Sequence, residues 1–148
     1  MERPKVGTAL CILRGDRVLM GRRRNATHGN GTYSFPGGHL EHGEPVLLSL
    51  LREVREEAGP HLEFSHPRLW CVTNETYPEQ GLHYVTLVFV ADHMGGDAVL
   101  MEPDKCDGWW WYGWNDLPSP LMGPLAAMVK ADCDPRRLLE TRLVDSVQ

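Results

Sequence analysis

Long apolar segments are missing from this chain of 148 residues. No run approaches the roughly 20 consecutive apolar residues of a membrane-spanning helix, and the N-terminal segment lacks the apolar stretch of a signal peptide. We therefore expect a soluble, cytoplasmic protein that does not bind membranes. Repeats, low-complexity tracts and linkers are also missing, so the sequence predicts a single domain over residues 1–148.

Cysteine is scarce, and its positions disfavour a zinc site. The four cysteines are Cys11, Cys71, Cys106 and Cys133. They are far apart in the sequence, and no two of them have the spacing of a metal-ligand pair. This pattern favours reduced thiols with a structural role.

Positive charge is also in short supply. The chain has 15 lysines and arginines against 20 acidic residues, which gives a formal net charge of −5. Binding to a nucleic-acid polymer depends on neutralising many phosphates with cationic side chains, so we do not expect such a partner. A small phosphorylated ligand is compatible with an acidic protein if bound cations bridge the like charges.

Segments typical of strands alternate with two helix-like segments, which predicts a mixed α/β layer fold. The chain is predicted to open with a hairpin, whose strands cover residues 5–13 and 18–21 on either side of a turn at Gly15 and Asp16. The other predicted elements are a short strand at 32–35, a turn at Gly37 and Gly38, strands at 68–73, 82–91 and 109–114, a loop at 94–103 and a helix at about 122–131.

The clearest helical pattern lies between Pro45 and Gly59. Proline suits the first turn of a helix, and glycine followed by Pro60 is a strong stop signal. Apolar residues recur between these limits at three- and four-residue spacing and predict a stripe that faces a core. The stripe consists of Leu47, Leu50, Leu51, Val54 and Ala58.

Three glutamates share another face of this helix. Glu53, Glu56 and Glu57 have the spacing i, i+3 and i+4, so their charges repel, and they also oppose the helix dipole. One interpretation is a solvated face relieved by neighbouring arginines. However, a glycine pair and two further acids precede the helix, and clustered carboxylates are what hard cations such as Mg²⁺ require. The pattern therefore favours a cation site.

These residues resemble the signature of the Nudix hydrolase family, G-x5-E-x7-R-E-U-x-E-E-x-G-U, in which U is a bulky apolar residue. The matching positions are Gly38, Glu44, Arg52, Glu53, Val54, Glu56, Glu57 and Gly59. Only the last position departs, because Pro60 replaces an aliphatic residue beyond the acidic face. Outside the signature, GRRR, HYVT and MEPDKCDGWWWYGWNDLPSPL are similar to small Nudix enzymes related to MutT, which include plant and animal nucleotide-sanitising proteins.

The resemblance implies the Nudix fold, in which a mixed β-sheet is sandwiched between α-helices. It also implies Mg²⁺-dependent hydrolysis of a nucleoside diphosphate linked to another moiety, with Mn²⁺ as a substitute for Mg²⁺. The implied metal ligands are the carbonyl of Gly38 and the carboxylates of Glu53, Glu56, Glu57 and Glu102.

Catalytic roles follow from the same resemblance. Either Glu53 or Glu56 is expected to accept a proton from the attacking water. Arg52 is expected to pair with a neighbouring carboxylate and fix its rotamer. Glu44 is either an outer ligand or a structural acid near the start of the helix. Arg23 is expected to contact the phosphate or the sugar of the substrate.

Further residues are candidates for a pocket that binds a base by stacking and hydrogen bonding, although apolar residues in strands are often plain core. The candidates are Phe35, His39, Tyr84, Thr86, Met122 and Gly123.

Tryptophan is concentrated in residues 109–114. Strand alternation places Trp109 and Trp111 on one side and Trp110 on the other, so one face is predicted to be buried. The remaining indole surface could pack against a second subunit, and the resemblance implies a homodimer.

The leading hypothesis is a Mg²⁺-dependent pyrophosphatase that converts a nucleoside triphosphate, including oxidised purines such as 8-oxo-dGTP, into a nucleoside monophosphate and pyrophosphate. An alternative is hydrolysis of a prenyl diphosphate or a nucleotide sugar, because the signature determines the reaction and not the leaving group. A non-catalytic nucleotide sensor is the third hypothesis. It is disfavoured because all the signature glutamates are present.

Overall fold

The computed structural model describes residues 2–137 and 142–145. It is a mixed α/β structure, as predicted. The strands are β1 (Lys5–Arg14), β2 (Arg17–Arg23), β3 (Tyr33–Ser34), β4 (Gly37–His39), β5 (Glu63–Phe64), β6 (Arg68–Tyr77), β7 (Leu82–Gly95), β8 (Cys106–Gly113) and β9 (Arg142–Asp145), and the α-helices are α1 (Val46–Ala58) and α2 (Gly123–Lys130). Within the described residues, neither helix is long and apolar enough to cross a membrane.

The strands form one mixed sheet around a parallel central pair. Its main order is β3-β2-β1-β7-β6-β9, while β4, β5 and β8 pair with β1, β7 and β2 respectively. β1 runs parallel to β7 and antiparallel to β2, so the predicted opening hairpin is present. The two longest pairings are those of β1 with β7 and of β6 with β7, and they form the centre of the sheet.

Each face of the sheet is covered by one helix. Successive side chains of a strand point to opposite faces, so the strands contribute apolar residues to a core on each side. Leu10 and Ile12 of β1 pack in the cluster that contains Leu50, Val54 and Ala58 of α1. On the other face, a second cluster contains residues of α2 together with Cys11, Trp70 and Cys71. The sheet therefore lies between two helices, and the apolar stripe of α1 faces a core.

The glycine pair Gly37 and Gly38 is not a turn, as the sequence pattern predicted, but the start of strand β4. It pairs antiparallel with β1, where Gly38 lies opposite Thr8. A Cβ atom on Gly37 would overlap the carbonyl oxygen of Thr8, so this pairing requires a residue without a side chain. The predicted strand 68–73 is also too short, since β6 continues to Tyr77.

Strand β8 presents its tryptophans as predicted. Trp109 and Trp111 pack against the cluster under α1. Trp110 points the other way and is 44% exposed. The cysteines are free thiols, and Cys106 is less deeply buried than the other three.

Replacing Leu50 with alanine is expected to lower the free energy of unfolding by about 2–5 kcal/mol, because this side chain is fully buried between α1 and the sheet. Leu48 is the matched control on the same helix, since its side chain is 59% exposed and its replacement by alanine should change stability by less than about 0.5 kcal/mol. Urea denaturation measures both values. Equal losses in the two variants would contradict the packing described for α1.

Candidate active site

The acidic face of α1 meets the glycine pair of β4. The backbone N–H of Gly37 donates a hydrogen bond to Oε1 of Glu57 at 3.3 Å. The carboxylate of Glu53 lies so close to Gly38 that a Cβ atom there would overlap it. The helix is held in this position by its apolar stripe and by Trp109, whose indole Nε1–H donates to the carbonyl oxygen of Glu57 at 3.1 Å.

Glu57 carries the strongest electrostatic perturbation of this face. Burial raises its pKa to about 8, and the negative charges of Glu53 and Glu102 add to the effect. The hydrogen bond from Gly37 acts in the opposite direction without overcoming it. Burial also raises the pKa of Glu53. A bound cation would act against the negative charges that raise the pKa of Glu57.

Arg52 contacts three of the signature acids. Its Nε and Nη2 donate to the two carboxylate oxygens of Glu44 at 2.8 and 3.0 Å. Its Nη1 lies 3.0 Å from Glu53 and 3.3 Å from Glu56. The hydrogen bonds from Arg52 lower the pKa of Glu44 to about 2. Two roles are predicted for Glu44, an outer metal ligand and a structural acid near the start of the helix. The bidentate pairing with Arg52 favours the structural role.

Glu102 lies in the loop before β8, close to the acidic helix. Its charge raises the pKa of both Glu53 and Glu57. Its carboxylate is 3.6 Å from Nζ of Lys105. The structure therefore brings this distant acid near the helical glutamates.

The predicted ligand group suits a hard divalent cation chemically, because all its donors are oxygens. It consists of the carbonyl of Gly38 and the carboxylates of Glu53, Glu56, Glu57 and Glu102. As they stand, no three acidic, histidine or cysteine side chains in residues 2–137 and 142–145 converge closely enough to hold an ion. Arg52 pairs with both Glu53 and Glu56, at 3.0 and 3.3 Å.

A cavity of about 210 Å³ opens beside this face, and both Gly38 and Glu57 line it. Six of the seven predicted substrate-binding residues also line it, namely Arg23, Phe35, His39, Tyr84, Thr86 and Met122. Gly123 does not, contrary to the prediction, and instead borders an adjoining surface depression. A Cβ atom on Gly123 would overlap the hydroxyl of Tyr77, so this glycine makes room for that side chain.

Arg23 lines the cavity and has one buried N–H group without a hydrogen-bond partner among the described residues. Its Nη2 donates to the carbonyl oxygen of His28 at 3.0 Å. Its Nε is buried and has no hydrogen-bond partner in the described structure. Arg23 lies near the acidic face, and its positive charge lowers the pKa of Glu57. The guanidinium group of Arg23, which lines the cavity, is suited to an oxygen of a phosphate or a sugar.

The cavity-lining residues that sequence reasoning missed include three with polar or aromatic side chains, namely His28, Glu75 and Tyr77. Glu75 and Tyr77 belong to the part of β6 that lies beyond the predicted strand. Period-two alternation from Thr73 could have identified them. The ring of His28 stacks on Tyr84 with a centroid separation of 5.7 Å, and no local pattern in its glycine-rich loop indicates this contact.

A family model described as the NUDIX domain matches residues 3–132. The chain belongs to the Nudix family. Curated Nudix relatives include the NAD-capped RNA hydrolase NudC of Pseudomonas putida strain GB-1, which is 32% identical over 117 residues, 78% of this chain and 39% of that protein. NudC of Edwardsiella ictaluri is 30% identical over 132 residues, 88% of this chain and 44% of that protein. This Nudix chain thus spans about two-fifths of the length of these relatives.

Solved structures confirm the predicted Nudix fold. A MutT NUDIX hydrolase from Burkholderia pseudomallei is 31% identical with a TM-score of 0.80, covering 87% of this chain and 98% of that one. A UDP-X diphosphatase is 16% identical with a TM-score of 0.73, covering 97% of this chain and 68% of that one, and supports the fold alone. The Nudix family match and the hydrolase relatives support the predicted enzyme class, a pyrophosphohydrolase.

Replacing Arg52 with glutamine is expected to lower hydrolytic activity about 10- to 100-fold, because Glu53 and Glu56 lose the partner that orients them. Steady-state kinetics at saturating Mg²⁺ measures the change. Arg55, which is exposed on the same helix, is the matched control, and its replacement by glutamine should leave activity nearly unchanged. Equal activities of the two variants would contradict the role of Arg52.

Proposed function

We propose that this protein hydrolyses a nucleoside triphosphate to a nucleoside monophosphate and pyrophosphate with the help of Mg²⁺. The observation that carries the proposal is the single cavity that adjoins both the acidic helix face and a wall containing Phe35 and Tyr84. Aromatic walls suit the two faces of a base. A base held there directs its phosphates toward Glu57, Gly38 and Arg23, which line the same cavity.

Bound Mg²⁺ would neutralise the phosphoanhydride and acidify a bound water. Its ligands would be the oxygens of the Gly38, Glu53, Glu56, Glu57 and Glu102 group described above. The chain's own contribution to the chemistry is to remove a proton and to orient the reacting groups. Glu53 or Glu56 takes the proton from the attacking water, Arg52 holds these carboxylates in place, and Arg23 donates to an oxygen of the substrate.

Within the nucleoside triphosphates, we propose purine nucleotides, including oxidised forms such as 8-oxo-dGTP. Support comes from the aromatic cavity and from the similarity to a MutT NUDIX hydrolase. The relatives described above are bacterial and give no support to the narrower plant and animal subgroup. We place the enzyme in the cytoplasm, where its free cysteines would stay reduced.

A second candidate substrate is a dinucleotide of the NAD type. The similarity to NAD-capped RNA hydrolases favours it, and such a substrate also contains a phosphoanhydride next to a nucleoside. A net charge of −5 argues against strong contacts with an attached RNA, so we propose recognition of the dinucleotide end. Prenyl diphosphates and nucleotide sugars are the remaining alternatives.

We also propose a homodimer that uses the exposed surface around Trp110. This side chain is 44% exposed on strand β8, where a large apolar group in water is unfavourable. Light scattering measures the mass in solution, and replacing Trp110 with serine is expected to shift a dimer toward the monomer. A wild-type mass equal to that of one chain would refute this assembly.

Turnover of dGTP, 8-oxo-dGTP, NAD, ADP-ribose and geranyl diphosphate with Mg²⁺ tests the proposed substrate class. We expect the highest kcat/KM for a purine nucleoside triphosphate, release of pyrophosphate as product, and no turnover after chelation with EDTA. Preference for NAD would instead favour the second candidate. Absence of turnover for every compound would refute the proposed activity.

Replacing Glu56 with glutamine is expected to lower kcat at least about 100-fold, because the side chain loses both its charge and its ability to accept a proton. Glu41 is the matched control, since it is exposed and lies outside the proposed ligand group. Its replacement by glutamine should leave kcat nearly unchanged. Tight nucleotide binding without turnover, unaffected by the Glu56 change, would favour a nucleotide sensor.

A further inference from the structure

Glu75 is a buried acid that the chemistry described above does not use. It lies in β6, is only 3% exposed, and lines the cavity. Strand alternation puts Thr73, Glu75 and Tyr77 on the same face of β6. On the neighbouring strand β7, Thr86 is the partner of Thr73, and Tyr84 is the partner of Glu75. The carboxyl group is therefore part of the wall that a bound base would face.

The hydrogen bonds of Glu75 come from neutral groups. The hydroxyl of Thr73 donates to Oε1, and the hydroxyl of Thr86 donates to Oε2 at 3.4 Å. None of the ion pairs among the described residues includes Glu75. Burial raises its pKa, as expected for an acid without a cationic partner. Such a group costs stability, so its presence here indicates a role toward a ligand.

The carboxyl group keeps acceptor capacity for that ligand. Each carboxylate oxygen can accept about two hydrogen bonds, and each is already bonded by one threonine hydroxyl. The threonine hydroxyls therefore occupy two of about four acceptor positions, and the backbone N–H of Glu75 also interacts with its own carboxyl group. The two oxygens of a carboxylate can therefore accept from two N–H groups that lie side by side, in the same bidentate way in which they accept from arginine.

Building on the proposed function, we propose that Glu75 determines base specificity by accepting hydrogen bonds from the N1–H and the 2-amino group of a guanine-type base. Guanine and 8-oxoguanine both present these adjacent donors. Adenine presents an acceptor beside one donor, and uracil and thymine present one donor between two acceptors. A carboxylate therefore repels part of each of these other edges.

Kinetics with dGTP, dITP and dATP tests this role, because dITP differs from dGTP only by lacking the 2-amino group. Wild-type protein is expected to prefer dGTP over dITP at least about tenfold in kcat/KM, since a site built to bond a donor rejects an analogue without it. In Glu75→Gln, a carboxamide replaces the carboxylate, so an NH₂ donor and a carbonyl acceptor face the base instead of two acceptors. We expect the dGTP to dITP ratio to fall below about threefold and dATP to gain at least about tenfold relative to dGTP.

Glu63→Gln is the matched control, because Glu63 is exposed and does not line the cavity. Its ratios should equal those of the wild type. An unchanged dGTP to dITP ratio in Glu75→Gln would overturn the proposal, as would a wild-type preference for dATP. If Glu75→Gln does not fold in thermal melting, the wild-type ratio decides alone: a value near one overturns the role of Glu75.

Failure of the proposed function would give a different result, namely no turnover of any triphosphate. Calorimetric binding of GMP, IMP and AMP to the wild type and to Glu75→Gln then tests Glu75 independently. Tighter binding of GMP than of IMP that is lost in the variant supports base reading. Equal binding of the three monophosphates by the wild type refutes it.

Discussion

Uncompensated negative charge around Glu57 is the constraint on which the rest of the site depends. The Glu57 carboxylate is partly buried between α1 and β4, with one backbone N–H as its hydrogen-bond donor and with Glu53 and Glu102 nearby. Arg52 pairs with Glu44, Glu53 and Glu56 and forms no ion pair with Glu57 among the described residues. Such an arrangement lowers the stability of the fold in the absence of a cation. Functional sites commonly reduce stability in this way, and the rest of the fold compensates.

The two halves of the cavity come from different layers of the fold. The helix supplies acidic groups and the glycine pair supplies backbone groups, and together with a bound cation these would suit the phosphate end of a substrate. The face of the sheet supplies aromatic rings and the buried carboxyl group of Glu75, which suit the base. The reaction and the choice of base can therefore change independently, because residues of β6 and β7 can vary without moving α1. This separation is consistent with a reaction signature that does not by itself identify a substrate.

Much of the structure could be predicted from local patterns. Pro45, Gly59 and the apolar stripe define α1 closely, and the fixed spacing of the signature identifies the family. The errors have a non-local origin. The Gly37–Gly38 pair forms a strand because β1 approaches it too closely for a side chain. Glu75 lies beyond the predicted end of its strand, and Thr86, which donates a hydrogen bond to it from β7, is 11 residues away in the sequence.

The hydrogen bond between the indole of Trp109 and the carbonyl oxygen of Glu57 has a consequence for spectroscopy. It ties a fluorophore on β8 to the last turn of the acidic helix, 3.1 Å from a backbone atom of a candidate ligand. Indole emission depends on the local electric field, and arrival of a divalent charge beside this turn alters that field. Trp109, one of five tryptophans in the chain, would therefore respond to an ion bound beside this turn without a label or a substrate.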